Sequence, residues 1–453
     1  MAHLRAITAT ADEGVMKDLR GDPVSTQNPT SLEIYERAVG AFNIYRGDPV
    51  AIIDEALAQQ PDFVMGHVLK AHVMVSMWER SMLPPIKECV AGLKELDNRS
   101  NDRERQHIQA LALWAAGDWR GYKDVLDRLL ADHPRDLLAL QAGHLSDFFQ
   151  GDRENLRGRV ARSLAFWSRD DAAYGYLLGM QAFGLEECGS YGAAEEAGRH
   201  ALDLNAADCW AQHAVAHVLE MQARQAEGIA FMESHQADWA QDDNAFQFHN
   251  WWHTALFHLD QGNHARALEI YDHGVHPQPT EIQLMLVDAT ALLWRMHLNG
   301  IDVGHRWDDL AATYAKGGET GFYAFNDMHA MLALVAAGRQ QEAAALLRQV
   351  EDMAVANNTN GMMEREVGLP ILGAVLAFGA GRYAETVEQL MPVRYRAHIF
   401  GGSHAQRDIL HRTLIEAALR SGDRALAHVL AHERVSLKPH CPFSWGLHRR
   451  AAQ

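Results

Sequence analysis

The sequence predicts an all-α protein built as a solenoid of helix pairs, and three observations lead there. The first is a returning glycine, or a residue in its place: Gly47, Gly117, Gly151, Gly189, Ala223, Gly262, Gly300, Gly338, Gly381 and Gly422. Neighbouring marks are about 34 to 43 residues apart, the period of helix–turn–helix repeats, with one beat lost around Ser76–Leu93. The second is the flanks. An amphipathic apolar run precedes each mark, as in His107–Ala116 and Met328–Ala337, and another follows it, often closed by proline, as in Leu126–Leu130 before Pro134. The third is the scarcity of strand signals: no sustained period-two alternation and few Val/Ile/Thr clusters between turn residues.

Each element has a local reason. The glycine ends the first helix of a pair (helix A), where a left-handed backbone costs it little. A following aromatic or small residue, as in Gly117-Asp118-Trp119 or Gly189-Ser190-Tyr191, opens helix B, and proline at Pro61, Pro134 or Pro439 stops it. About nine to eleven such pairs are expected in residues 31–453, stacked as one continuous solenoid. Residues 1–30 carry Gly14, Gly21, Pro23 and Pro29 with no sustained apolar period, and are expected to form a loosely attached N-terminal arm.

Bulk composition excludes several classes. The formal net charge of −18 removes the basic stripe that nucleic-acid binding requires. Arginine-rich Arg153–Arg162 is interspersed with acids and reads as a solvated helix face. No stretch approaches the ~18 apolar residues of a membrane span, and the N-terminus lacks a signal core, so a soluble, cytoplasmic protein is expected. Cys89, Cys188, Cys209 and Cys441 never fall at CxxC spacing and read as small hydrophobes. Phosphate loops, nucleotide or flavin motifs, a GxSxG elbow and HExxH are absent from the sequence.

Chemistry concentrates on the A helices. Counting back from each mark gives a stripe at three, six, nine or ten, and thirteen residues, part of which faces the concave side. Two adjacent A helices carry His-x3-His pairs: His213 and His217, followed by Glu220, and His249 and His253. The i, i+4 spacing puts both imidazoles of a pair on one face. With neighbouring helices about 8–10 Å apart, the two pairs could converge on one site. Glu186 falls on the same stripe one repeat earlier, Asp288 one residue off it, and His329 further along. Trp252 is expected toward the groove and Trp251 in the core, while Tyr176 opens the A helix before Gly189. Asp327 belongs to the polar helix start Phe325-Asn326-Asp327-Met328-His329. Phe400-Gly401-Gly402-Ser403 reads as a hinge before a helix whose amides, with Arg407, could hold an anion.

The segments Gly179–Gly189, His213–Gln222, His249–Leu259 and Gly401–Asp408, with Arg103-Glu104-Arg105 leading to Gly117-Asp118-Trp119 and Pro134-Arg135-Asp136, resemble the tetratricopeptide repeat protein 38 family over roughly residues 35–445. The resemblance implies a tetratricopeptide-like right-handed superhelix and brings no settled reaction with it.

Two readings of function follow. In one, a His/Glu/Trp-lined concave pocket binds a small polar ligand and can support acid–base or hydrolytic chemistry. His217 and His253 then serve as bases and Glu220 as proton shuttle; His213, His249, Trp252, Glu186, Tyr176, Asp288, Asp327, His329 and Arg407 contact the ligand. A divalent metal on His213, His217, His249 and His253 is a variant of this reading. In the other, the groove takes a peptide and the protein is an interaction scaffold without catalysis. Neither involves nucleic acid or a membrane, and self-association is left open.

Overall fold

The computed structural model describes residues 16–453, so residues 1–15 of the expected arm lie outside the described residues. From Pro29 onward the described chain is an all-α solenoid of helix pairs. Successive helices pair across tight turns into eleven pairs, from Pro29–Ile44 with Pro49–Gln59 to His404–Ser421 with Arg424–Leu437, and Pro442–Ala451 closes the stack.

Every glycine of the beat, from Gly47 to Gly422, has positive φ, and Ala223 holds φ 58° in the same role. The lost beat is present as well. Trp78, between Val64–Val75 and Leu83–Glu95, sits at φ 51°. A left-handed backbone costs a non-glycine residue about 1–2 kcal/mol. Burial offsets that cost: the Trp78 ring is enclosed by Phe149 at 4.7 Å, Trp119 at 4.7 Å and Tyr323 at 5.1 Å. A glycine there would lose this packing, which is why the sequence period skips.

The A helices are buried almost all round. In Cys209–Met221 every residue from Cys209 to Glu220 is buried, and in Gln247–Asp260 every residue from Phe248 on. B helices such as Tyr191–Leu204 bury one face only, at Ala194, Gly198, Ala201 and Leu202. The A layer is thus enclosed by B helices outside and by other A helices inside.

That inner enclosure comes from contacts between distant repeats. Tyr323 donates its hydroxyl to the Phe149 carbonyl at 2.8 Å, and Glu79 accepts from the Gln283 amide at 2.7 Å. Glu319 accepts from the Arg80 amide at 2.6 Å, and Glu187 from the His404 amide at 2.8 Å. Gly151 lies so close to the His398 carbonyl that a Cβ would stand 1.7 Å from its oxygen. These contacts bring distant repeats together across the concave side.

Two expectations are corrected here. The described part of the arm is not loose: Met16–Lys17 pairs with Pro23–Val24, and buried Asp18 binds Arg103 at 3.2 Å, which in turn holds Asp136 at 2.7 Å. Nor is Arg153–Arg162 wholly solvated. Arg159 is buried against Asp147 at 2.7 and 3.1 Å, in space that the missing side chain of Gly143 leaves open. A guanidinium so placed needs its carboxylate, because an unpaired buried charge costs several kcal/mol, on the order of 3–5. Among the described residues no helix is long and apolar enough to cross a membrane.

Candidate functional site

On the inner side of the solenoid lies a pocket of about 730 Å³. Its wall is mostly aromatic and aliphatic, with Phe148, Trp210, Phe246, Leu284, Met285 and Phe325 among the lining residues. This departs from the polar pocket expected from the sequence. Polar groups are spread around it. His213, His249 and Asp288 reach the cavity together, and Ser76, Asn244, Asn326, Ser403 and Gln406 are also on its wall.

Three consecutive A helices bring His213, His249 and Asp288 together. Asp208 caps Cys209–Met221 by accepting from the Ala211 amide at 3.0 Å, which starts the helix one turn before His213. Gln247–Asp260 supplies His249, and Gln283–Leu298 supplies Asp288. The His249 Nδ1 lies 2.6 Å from the Asp288 carboxylate and its Nε2 lies 3.1 Å from the His213 Nε2. One turn further along both helices, His217 and His253 stand behind this pair. Their ring centroids are 4.4 Å apart, and both are fully enclosed. The His253 Nδ1 lies 3.2 Å from Glu220, and the His217 Nδ1 lies 3.5 Å from Glu186.

The two helices therefore bring all four imidazoles together, as the i, i+4 spacing suggested. Burial, reinforced by the neighbouring imidazoles, holds His213, His217 and His253 well below the ordinary histidine range, so they are neutral near pH 7. Burial, with Glu187 and Glu220 nearby, pushes Glu186 well above the ordinary carboxyl range.

The cluster also carries unsatisfied atoms. The His213 Nδ1, both His217 nitrogens, the His253 Nε2 and both Glu186 oxygens are buried without a hydrogen-bond partner. Each such atom costs about 1–3 kcal/mol.

The other expected ligand contacts fall elsewhere. Trp252 is stacked behind His249 at 5.2 Å with Arg295 over its ring, and Trp251 packs in the core against Trp239. His329 donates from Nδ1 to the Phe325 carbonyl at 2.8 Å. Asp327 accepts from the Gly321 amide at 2.7 Å and is pushed up to about 7, chiefly by burial. Tyr176 lies outside the cavity wall, near Gly40. Arg407 is bound to the Gly401 and Gly402 carbonyls and to Glu187.

The anion site expected at the start of His404–Ser421 is occupied by the chain. Glu187 takes the His404 amide, and Ser403 with Gln406 forms a reciprocal cap. Gly401 and Gly402 are there for close approach rather than as a hinge. Side chains would strike the Tyr323 hydroxyl at 2.2 Å and the Phe325 ring at 2.4 Å. The residues that sequence reasoning missed, Trp210 and Phe246 above all, carry no signal in the repeat. They reach the cavity from a helix start and from the loop before a helix, and only the winding of the solenoid places them.

No protein-family profile matches the chain. Among solved structures it is similar to the human IFIT1 dimer with PPP-AAAA, at 13% identity over 93% of this chain and 94% of that one, TM-score 0.44. It is also similar to the APC/C hetero-tetramer Cut9–Hcn1 (13% identity, 93% and 84% covered, TM-score 0.41) and to yeast Tom70 (12%, 94% and 88%, 0.32). At that identity and superposition the likeness bears on neither ligand nor activity.

Proposed function

We propose that this helical-repeat protein binds a small organic molecule with an apolar body and a polar end, held on the inner side of its solenoid. One observation carries the reading: an aromatic-walled cavity of about 730 Å³ that His213, His249 and Asp288 reach together. That volume falls within the ~300–1,000 Å³ of small-molecule sites. The apolar wall would take the body of the ligand, and the imidazole–carboxylate pair its polar end. If chemistry follows binding, the wall-side pair His249–Asp288 is the acid–base candidate. His217, His253 and Glu220 stand behind the wall and would act through it. Assignment to the tetratricopeptide repeat protein 38 family is part of this proposal and rests on the His213–Glu220 and His249–His253 strings.

The architecture supports a second reading, an interaction scaffold without catalytic activity, since stacked helix pairs commonly present a surface to a protein partner. In this chain such a partner would meet the outer face or the rim, because Tyr323–Phe149 and Glu79–Gln283 cross the interior.

The test uses anilinonaphthalene sulfonate, a probe with an apolar body and an anionic end. Saturable one-to-one fluorescence enhancement is expected with the folded protein and is weakened several-fold in Leu284→Trp, which narrows the cavity, with an unchanged circular dichroism spectrum. A stoichiometric protein partner retained by Leu284→Trp, together with no saturable probe binding, favours the scaffold.

A further inference from the structure

We infer that His213, His217, His249 and His253 form a binding site for one borderline divalent transition-metal ion, of which zinc is the reference case, cross-linking the helices Cys209–Met221 and Gln247–Asp260. Each residue offers a ring nitrogen, and these four atoms all lie within 4.8 Å of one another. Ring centroids are 4.4 Å apart for His213–His217 and 4.4 Å for His217–His253. They are 4.9 Å apart for His213–His249 and 4.9 Å for His249–His253. Four imidazoles from two adjacent helices thus surround a single point.

The arrangement of the other ring nitrogens favours coordination over a hydrogen-bonded seam. Carboxylates hydrogen-bond the Nδ1 of two rings, Asp288 at His249 and Glu220 at His253, while the Glu186 carboxyl stands 3.5 Å from the His217 Nδ1 without a hydrogen bond. A carboxylate on one nitrogen fixes the tautomer and leaves the other lone pair free for a metal, the usual outer support of histidine ligands. The freed atoms are the ones left over. The Nε2 of His217 and of His253 have no partner, and those of His213 and His249 face each other at 3.1 Å. Two Nε2 lone pairs at that separation match neighbouring positions around an ion about 2.0–2.1 Å from each.

Charge and donor type narrow the class. A dication buried among four imidazoles needs nearby negative charge, and the carboxyl groups of Glu220 and Asp288, in contact with two of the ligands, are placed to provide it. An all-nitrogen set suits zinc, cobalt, nickel, copper or ferrous iron. It disfavours calcium and magnesium, which take oxygen ligands. The inference goes beyond the ligand reading and does not depend on it: Leu284→Trp, which tests that reading, alters the cavity wall and leaves all four imidazoles in place.

The full chain is purified, stripped with chelator and titrated with Zn²⁺ by calorimetry, and the Zn²⁺-loaded protein is read by X-ray absorption. Expected are one equivalent bound, a first shell of nitrogen scatterers at ~2.0–2.1 Å and the multiple-scattering signature of imidazole. His217→Gln and His253→Gln should each weaken binding at least about 100-fold, and Glu220→Gln by about 10–100-fold. His428→Gln is the control, because His428, His432 and His448 form a separate cluster, with ring centroids 4.6 and 5.5 Å from His448. It should leave the tight site unchanged. The inference is overturned if the folded wild-type protein takes up no saturable equivalent, if the first shell lacks imidazole, or if His428→Gln removes the binding while His217→Gln does not. The absorption spectrum requires no variant, so a His217 or His253 variant that failed to fold would not rescue the idea.

Discussion

The His249 Nδ1 lies 2.6 Å from the Asp288 carboxylate, and the same ring's Nε2 lies 3.1 Å from His213, so one imidazole joins three consecutive helix pairs at the cavity wall. Removing the carboxylate should therefore be felt in folding as well as binding. Asp288→Ala is expected to lower stability by roughly 1–3 kcal/mol, because it leaves a buried imidazole nitrogen unpaired. Asp288→Asn should retain most of it, since its side-chain carbonyl still accepts from Nδ1. Urea denaturation of the two variants checks this, and equal losses would mean that the pair is not a hydrogen bond.

Trp78 sets two effects against each other. Trp78→Gly relieves a left-handed backbone worth about 1–2 kcal/mol. It also removes an indole buried against Phe149, Trp119 and Tyr323, worth about 3–5 kcal/mol. Burial should win, with a net loss of roughly 1–4 kcal/mol. An unchanged or raised Tm would show that the aromatic knot does not hold the repeats together.

The turns allow a controlled comparison. Ala223→Gly should raise stability by up to ~1 kcal/mol, because Ala223 holds φ 58°. Gly189→Ala meets nothing within 4 Å, so it should cost only the conformational ~1 kcal/mol. Gly151→Ala must displace the His398 carbonyl and should cost clearly more. Thermal melts of the three variants should rank in that order.

Glu79 ties the second helix pair to the Gln283 amide, and its carboxyl is pushed up to about 7, mainly by burial, with Glu319 adding to the rise and the Gln283 hydrogen bond opposing it. A raised carboxyl favours the folded state when protonated. The contribution is complete below the ordinary 4.5 and has been lost by about 7. Tm should therefore fall across that window relative to Glu79→Gln, which cannot ionise there. If wild type and variant run parallel from acid to neutral pH, the carboxyl is not held in this way.

Much of the fold was legible because its signals are local. The glycine period reports a backbone conformation that each turn needs for itself, and Ala223 was found in register although it is not glycine. The missing beat was not legible. A tryptophan takes φ 51° only because residues from repeats far along the chain enclose it. The candidate site divides in the same way. His213 with His217 and His249 with His253 were readable as pairs, since i, i+4 spacing fixes their common face. Arg407, Asp327, His329 and Trp252 were misplaced, because helical phase gives a direction and not the neighbour found there.

By itself, then, the sequence determined the all-α repeat, the turn positions and the two histidine faces, all consequences of interactions within about one helical turn or one repeat. Only the tertiary structure decided that distant repeats meet across the concave side, that a largely apolar cavity lies on the inner side, and that His213 and His249 face it while His217 and His253 stand behind. The reason is geometric. Small rotations between successive repeats accumulate along the stack, so whether Phe149 meets Tyr323, or Glu79 meets Gln283, depends on all the packing between them and on no single segment.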